Sequence, residues 1–244
     1  MLFRLAVGML LLSSAIASMA EDRLTFITEE YPPFNYATEN GVAGFAVSLL
    51  TDMMAEAGYE FDPSAVRLLP WARAYETALH VPNTLLFSTT RTTARESLFQ
   101  WVGPIAPDRV VLLAHRDAPV SLSSIEDITR QGLKVAAIRE DIGAQRLLEL
   151  GIDEEQILYA FSNQSAASML SAQRVDLWAY GEEVAYWLME QHGMDPEQVA
   201  PVWVLSESAL YFAVQKDTDP AIVERLQAAL DRVQAKRQAH DHAR

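Results

Sequence analysis

Short apolar runs alternate with amphipathic helical patterns along most of the chain, which has 244 residues. Leu24–Thr28, Thr84–Phe87 and Leu133–Ile138 are apolar runs of strand length. Gly44–Ala57 instead repeats an apolar residue at every fourth position, which is typical of one face of a helix. Strands that alternate with helices of this length predict an α/β protein with mostly parallel sheets.

Residues 1–20 have the pattern of a secretory signal peptide. Arg4 precedes the apolar run Leu5–Leu12, and Ser18 and Ala20 occupy the −3 and −1 positions of a cleavage site before Glu21. The alternative is an N-terminal membrane anchor, but the run is far shorter than the roughly 20 residues that span a bilayer. We therefore expect cleavage after Ala20 and export, without stable insertion in the membrane.

The charge balance and the lack of cysteine exclude several classes of function. The chain has 33 acidic and 19 basic residues, and its formal net charge is −14. Nucleic acid is therefore not an expected partner, because an acidic surface repels phosphate. Without Cys there is no disulfide, no cysteine zinc site and no thiol nucleophile. An exported chain of this kind fits a bacterial periplasm better than a eukaryotic secretory route.

Several segments, taken in order, resemble one protein family. They are Glu29–Phe34 (EEYPPF), Gly44-Phe45, Ser88–Glu96 (STTRTTARE), Phe99–Pro104 (FQWVGP), Asp176 and Gly181–Ala185 (GEEVA). Together they resemble the type II periplasmic solute-binding proteins of the polar amino-acid class, the ligand-capturing component of ABC importers. The resemblance runs from about Leu24 to about Ala235.

The resemblance implies two Rossmann-like α/β lobes that are joined by two crossing strands. Lobe 1 would comprise residues 21–106 plus 211–244, and lobe 2 residues 107–210, with the crossings near 108–115 and 208–215. The ligand would lie in the cleft between the lobes, which is also where open α/β sheets generally bind ligands. Hinge closure is the motion expected of such a protein.

The same resemblance assigns a carboxylate-binding role to one arginine. Thr92-Thr93-Ala94-Arg95 matches the family segment whose arginine donates two parallel hydrogen bonds to the ligand carboxylate. Ser88 and Thr90 match hydroxyl positions beside this arginine. A guanidinium presents two parallel donors and a permanent charge, which suits a cleft that closes. The alternative is a surface Arg95 that pairs with Glu96, and Arg91 competes for the same role.

Other residues would complete the cleft. Tyr31, before a proline pair, matches an aromatic that stacks on the ligand, and Trp71 would form a second apolar wall. Glu182 matches the acid of the second lobe that pairs with the ligand ammonium. Its alternative role is that of an acid in the first turn of a helix, where the helix dipole favours a negative charge.

Two departures from the family pattern point to an altered ligand. Thr28 stands where the family usually has an Asp, and Glu29 follows one residue later. The usual Gly-Thr-Thr loop of the second lobe is replaced by Arg139–Gly143 (REDIG). Arg139 and Asp141 in the cleft would suit a polar molecule other than a standard α-amino acid.

Motifs of the common enzyme classes are absent from the sequence. There is no His-Glu-x-x-His, Gly-x-Ser-x-Gly, Walker or dinucleotide-binding motif, so no metal, cofactor or catalytic residue is expected. A cyclohexadienyl dehydratase-like branch of the same fold leaves an enzyme as one alternative, with Glu182 as the acid. A sensor module that presents its ligand to a membrane receptor is another. The favoured interpretation is a monomeric binding protein that delivers a small polar solute, an amino acid or analogue, to a permease.

Overall fold

The computed structural model describes residues 23–118 and 120–241. The predicted signal peptide, residues 1–20, lies outside this part of the chain. The strands are β1 (Thr25–Thr28), β2 (Tyr36–Thr38), β3 (Gly41–Ala43), β4 (Arg67–Leu68), β5 (Thr84–Thr90), β6 (Phe99–His115), β7 (Val135–Ile138), β8 (Ile157–Ala160), β9 (Leu177–Gly181) and β10 (Val199–Gln215). The helices are α1 (Phe45–Glu56), α2 (Trp71–His80), α3 (Asp127–Gln131), α4 (Ile142–Glu149), α5 (Asn163–Ser171), α6 (Glu182–Gln191) and α7 (Pro220–Asp241).

Eight of these strands form one mixed sheet in the order β4-β1-β5-β10-β6-β9-β7-β8. The pairs β1–β4, β1–β5, β7–β8 and β7–β9 are parallel, whereas β5–β10, β10–β6 and β6–β9 are antiparallel. The α/β prediction is confirmed, but the sheet is mixed rather than mostly parallel, because β10 runs against both of its neighbours. We call β1, β4 and β5 the first side of the sheet, and β7, β8 and β9 the second side.

Two strands of 17 residues, β6 and β10, run through the middle of the sheet and pair with each other along their length. The first side pairs with β10 between Leu210 and Val214, and the second side pairs with β6 between Val110 and Ala114. The β6–β10 register shifts at three places, between Pro201 and Trp203, Val204 and Ser206, and Leu210 and Phe212. Shifts of this kind bend a strand and re-aim its side chains.

The helices bury apolar faces, because their apolar residues recur at the spacing of one helical turn that the sequence shows. In α1, Leu49 and Met53 are one turn apart and fully buried, and this helix packs on α7, where Leu226 and Leu230 repeat the same spacing. Helix α5 begins at a capping box in which Ser162 and Ser165 exchange hydrogen bonds. No helix in the described residues is both long enough and apolar enough to cross a membrane.

Candidate functional site

One arginine and three carboxylic acid side chains are buried where the two sides of the sheet meet. The exposed fraction is 1 % for Arg95, 6 % for Glu29, 8 % for Asp108 and 4 % for Asp141. Glu29 follows β1, Arg95 lies in the turn after β5, Asp108 is on β6, and Asp141 follows β7. Within the described residues, none of the four forms a direct ion pair. We call these four residues the buried charged cluster.

Arg95 is held by backbone carbonyls and aromatic rings rather than by a carboxylate. Its Nη1 donates to the Thr90 carbonyl at 3.2 Å, and its Nη2 donates to the Glu140 carbonyl at 2.9 Å. The guanidinium carbon lies 5.1 Å from the ring centroid of Trp71 and 5.2 Å from that of Tyr75. Burial lowers the pKa of Arg95, and the nearby Asp141 opposes that shift. Arg95 therefore links the first side of the sheet to the β7–α4 turn of the second side.

Asp108 lies near the middle of β6 and accepts two hydrogen bonds from the first side. The Thr90 hydroxyl donates to it at 2.7 Å and the Tyr31 hydroxyl at 3.2 Å. Burial raises the pKa of the Asp108 carboxyl, and these two hydrogen bonds act in the opposite direction. The Tyr31 ring also meets the Tyr180 ring edge-on at 5.6 Å. Tyr31 is thus fixed between the loop after β1 and the central strands.

Glu29 faces the second side of the sheet. Its carboxylate accepts one hydrogen bond, from the Asn163 amide at 3.3 Å, and the same amide nitrogen lies 2.5 Å from the Tyr180 hydroxyl. The pKa of Glu29 is raised well above its ordinary value, first by burial and then by the charge of Asp141. The contact between Glu29 and Asn163 is therefore a second link between the two sides.

Asp141 is the N-cap of α4, where its Oδ1 accepts from the Ile142 amide at 2.6 Å. Its Oδ2 is buried and has no hydrogen-bond partner in the described residues. Burial raises the pKa of Asp141 from 3.8 to about 6, although Arg95 and the Ile142 amide oppose this. A carboxyl of this kind stabilises the fold when it is protonated.

The raised pKa predicts a pH-dependent effect of Asp141→Asn. The stabilisation from protonated Asp141 is complete below pH 3.8 and is lost as the pH rises through about 6. Asparagine keeps the cap oxygen but stays neutral, so the variant should gain about 2 kcal/mol relative to the wild type between pH 4.5 and 7.5. Urea unfolding across this pH range measures the difference.

Asp195→Asn provides the matched control for this measurement. Asp195 is also a cap residue, accepting from the Glu197 amide at 2.9 Å, but it is exposed. Its substitution should not reproduce the pH-dependent gain of Asp141→Asn, because the Asp195 carboxylate lies at the surface in contact with water. A stability difference between Asp141→Asn and the wild type that stays constant with pH would contradict the assignment.

A groove of about 600 Å³ opens beside the buried charged cluster and is lined from both sides of the sheet. Glu29 and Trp71 line it from the first side, and Ile138 and Asn163 from the second. Phe161, at its rim, is 92 % exposed. The indole nitrogen of Trp71 and the Oδ1 of Asn163 are buried and have no hydrogen-bond partner in the described chain. The groove therefore combines apolar walls with unpartnered polar atoms.

Five of the eight site residues predicted from the sequence belong to this region. Arg95 and Asp141 are part of the buried charged cluster, Thr90 and Tyr31 bind Asp108, and Trp71 lines the groove. The surface pairing of Arg95 with Glu96 does not form, because Glu96 binds Arg91 through bonds of 2.5 and 2.8 Å.

The other three predicted site residues lie elsewhere. Ser88 donates to the Asn35 side chain within the first side of the sheet. Glu182 pairs with Arg109 and lines a separate depression. Arg139 is exposed, 3.8 Å from Glu154 and stacked on Tyr159. The structure does not bring these three side chains to the groove.

Sequence reasoning missed three residues that the structure brings together here. In the sequence, Glu29 is only a shifted match to the Asp of the family, Asp108 is only part of a crossing strand, and Asn163 belongs to no recognisable motif. The position of Glu29 directly after the first strand, beside Tyr31, is the signal that could have identified it. Although three carboxyls share the region, no three acidic or histidine side chains in the described residues lie close enough together to hold a metal ion.

Comparison with solved structures shows the same fold in binding proteins. A histidine kinase sensor domain with similarity to periplasmic binding proteins matches with a TM-score of 0.76 and 20% identity, over 90% of this chain and 93% of that one. An ancestral arginine-binding protein bound to arginine matches with a TM-score of 0.71 and 18% identity, over 87% and 92%. The arginine-, lysine-, histidine-binding protein ArtJ from Geobacillus stearothermophilus matches with a TM-score of 0.69 and 17% identity, over 88% and 90%.

Among curated proteins, the comparison finds none that matches the chain. The model of one protein family, in contrast, covers nearly all of the described residues. It matches residues 24–242 and describes the bacterial extracellular solute-binding proteins of family 3. The chain therefore belongs to this family of extracellular solute-binding proteins.

Proposed function

We propose that the protein captures a small polar solute, an amino acid or a close analogue of one, in the groove beside the buried charged cluster. The observation that carries the proposal is a groove of about 600 Å³ to which both sides of the sheet contribute polar side chains. Family membership supports a binding role, and the similar structures include the arginine-binding protein and ArtJ, which are binding proteins. We take the lobes to be residues 21–106 plus 211–244, and residues 107–210.

Within the proposed site, each side of the sheet supplies part of the ligand contacts. Trp71 and Glu29 act from the first lobe and Asn163 from the second, while Tyr31, Thr90 and Asp108 keep the crossing strands in place. Asp141 supports the second-lobe wall from the start of α4. The carboxylate-binding role of Arg95, and the roles of Ser88, Arg139 and Glu182, remain predictions.

Contacts across the groove support closure around the solute. The Arg95–Glu140 and Glu29–Asn163 hydrogen bonds both join the two proposed lobes. A ligand that binds both lobes favours the closed state, because it gains contacts there that an open state lacks. In the proposed closed state these two hydrogen bonds would act together with the contacts that the solute makes to each lobe.

We further propose export to the periplasm, with cleavage after Ala20, and delivery of the solute to an ABC permease as a monomer. The family of extracellular proteins supports export. A membrane sensor is the alternative partner for the closed form. Crosslinking of the liganded protein in its native membrane should capture a permease; capture of a sensor kinase would overturn the delivery step and leave solute capture standing.

A thermal-shift screen of the mature chain tests solute capture. The panel contains amino acids, their decarboxylated amines and small organic acids. A ligand at 100 times its Kd adds about 2.7 kcal/mol of stability, which for a chain of this size raises Tm by roughly 5–10 °C. We expect such a shift from at least one panel member. A panel in which no member shifts Tm would contradict the proposal.

A further inference from the structure

We propose that the solute is an organic amine that carries no carboxylate, and that its cationic nitrogen binds Glu29 and Asn163 at the inner end of the groove. The proposal rests on the solute-binding function proposed above and specifies the class of solute. It is supported by the hydrogen-bonding atoms of the groove, by the charge balance around them and by the apolar walls.

The buried polar atoms of Glu29 and Asn163 that lack a full set of partners are acceptors. The Glu29 carboxylate is buried, and its one hydrogen-bond partner among the described residues is the Asn163 amide at 3.3 Å. The Oδ1 of Asn163 is also buried and has no partner in that part of the chain. Acceptors such as these are satisfied by N–H groups, and an ammonium supplies three donors together with a positive charge.

The charge balance also favours a cation. Glu29, Asp108 and Asp141 are three buried carboxyls, and Arg95 is the one cationic side chain of the buried charged cluster. Both Nη atoms of that guanidinium already donate to backbone carbonyls. The Arg95 Nε is buried without a partner among the described residues, but Arg95 does not line the groove. A ligand carboxylate in the groove would therefore add a negative charge beside Glu29, whereas an ammonium compensates a charge that is otherwise costly to bury.

A buried donor of the groove does not change this conclusion. The Trp71 indole N–H is a buried donor of the groove without a partner among the described residues. It is neutral, so it can bind a hydroxyl or ring acceptor on the solute but cannot replace the charge that a carboxylate requires. It therefore selects among amines rather than between amines and acids.

The walls of the groove accommodate an apolar body attached to the amine. Trp71, Trp187, Pro70 and Ile138 line it, and Phe161 stands at the rim with 92 % of its surface exposed. Aromatic and aliphatic walls with a few polar atoms at one end are typical of sites for amphipathic small molecules. The combination matches an amine with an aliphatic chain or an aromatic ring.

Three pairs of ligands that differ only in the carboxylate test the proposal: arginine and agmatine, lysine and cadaverine, phenylalanine and phenethylamine. Isothermal titration of the mature chain at pH 7.5 gives the Kd of each. We expect at least one amine to bind, and every amine that binds to do so at least tenfold more tightly than its amino acid. Tighter binding of the amino acid would overturn the inference and support Arg95 as a carboxylate anchor.

Other outcomes separate this inference from the proposed function. If none of the six compounds binds but an amino acid or an organic acid of the thermal-shift panel does, the amine assignment is wrong and solute capture stands. If no panel member binds, solute capture itself is contradicted. The two proposals therefore fail through different results.

A charge-neutral variant tests the residue assignment. Glu29→Gln keeps an oxygen that accepts from Asn163 but removes the charge, so amine affinity should fall at least tenfold while Tm stays the same or rises. Glu60→Gln removes the same charge from an exposed position and should leave the Kd unchanged. Equal amine affinity in Glu29→Gln and the wild type would overturn the role of Glu29.

Discussion

Replacing Arg95 by alanine should lower the free energy of unfolding by about 3–5 kcal/mol at pH 8, the cost typical of breaking a buried charge arrangement. The variant loses the hydrogen bond to the Glu140 carbonyl, which joins the two sides of the sheet. It also leaves three buried carboxyls without the guanidinium that lowers the pKa of each. Denaturant unfolding monitored by tryptophan fluorescence measures the loss.

The loss should be smaller at pH 5 than at pH 8. Without Arg95 the pKa values of Glu29, Asp108 and Asp141 rise further, so mild acid neutralises the charges that the variant cannot compensate. Arg91→Ala is the control, since Arg91 pairs with Glu96 through side chains that are more than one third exposed. Its substitution should cost at most about 1 kcal/mol at either pH. An equal loss at pH 5 and pH 8 for Arg95→Ala would contradict the electrostatic role.

Replacing Gly44 by alanine should destabilise the protein by about 3 kcal/mol or more. Gly44 has φ of 124° and ψ of 174°, a conformation that is essentially restricted to glycine. An added Cβ would lie 2.6 Å from the carbonyl carbon of Phe34 and 2.8 Å from the carbonyl oxygen of Pro33. Both neighbours are backbone, so they cannot move aside cheaply. Thermal and urea unfolding of the purified variant measure the effect.

Gly58→Ala is the matched control for Gly44→Ala. Gly58 also has a positive φ, 77°, but an added Cβ there meets nothing within 4 Å. The cost should be about 1–2 kcal/mol, from the backbone conformation alone. Similar losses in the two variants would show that the close approach at Gly44 does not matter. The close packing of Gly44 on the backbone of Pro33 and Phe34 also matters for the candidate site. The amides of Phe45 and Ala46, which follow Gly44, donate to the carbonyls of Pro33 and Phe34. These hydrogen bonds hold the loop that carries Tyr31.

Elements with a clear period were predictable from the sequence, and elements interrupted by proline were not. The sequence predicts helix Trp71–His80 with both of its ends, because its apolar spacing is regular and Pro70 precedes it. For β6 the sequence pattern predicts a strand only from Arg109, because Gly103, Pro104 and Pro107 interrupt the preceding part. The pattern of β10 predicts two separate strands, Val202–Leu205 and Leu210–Val214. Both long strands exist because they pair with each other over 17 residues, a tertiary effect that local sequence does not carry.

The candidate site was predictable only where a residue stands in a recognisable segment. Arg95 and Tyr31 were identified from such segments, and the structure buries both. The hydrogen bond between Glu29 and Asn163 joins residues 134 positions apart, so no local pattern could indicate it. Glu182 carries a family motif but follows β9 at a point where Arg109, on the neighbouring strand, is available as a partner. The nearby opposite charge, which depends on the pairing of strands, decides where that carboxylate lies.

The ladder between β6 and β10 has a mechanical consequence for any opening of the groove. Two strands bonded side by side resist stretching and sliding, because either movement would break several backbone bonds at once. Flexing across the face of such a ribbon breaks none, and it is easiest at the irregular steps between Val204 and Phe212. Any opening of the groove would therefore be confined to bending of this ribbon, and each closure would return the same side chains to the same partners.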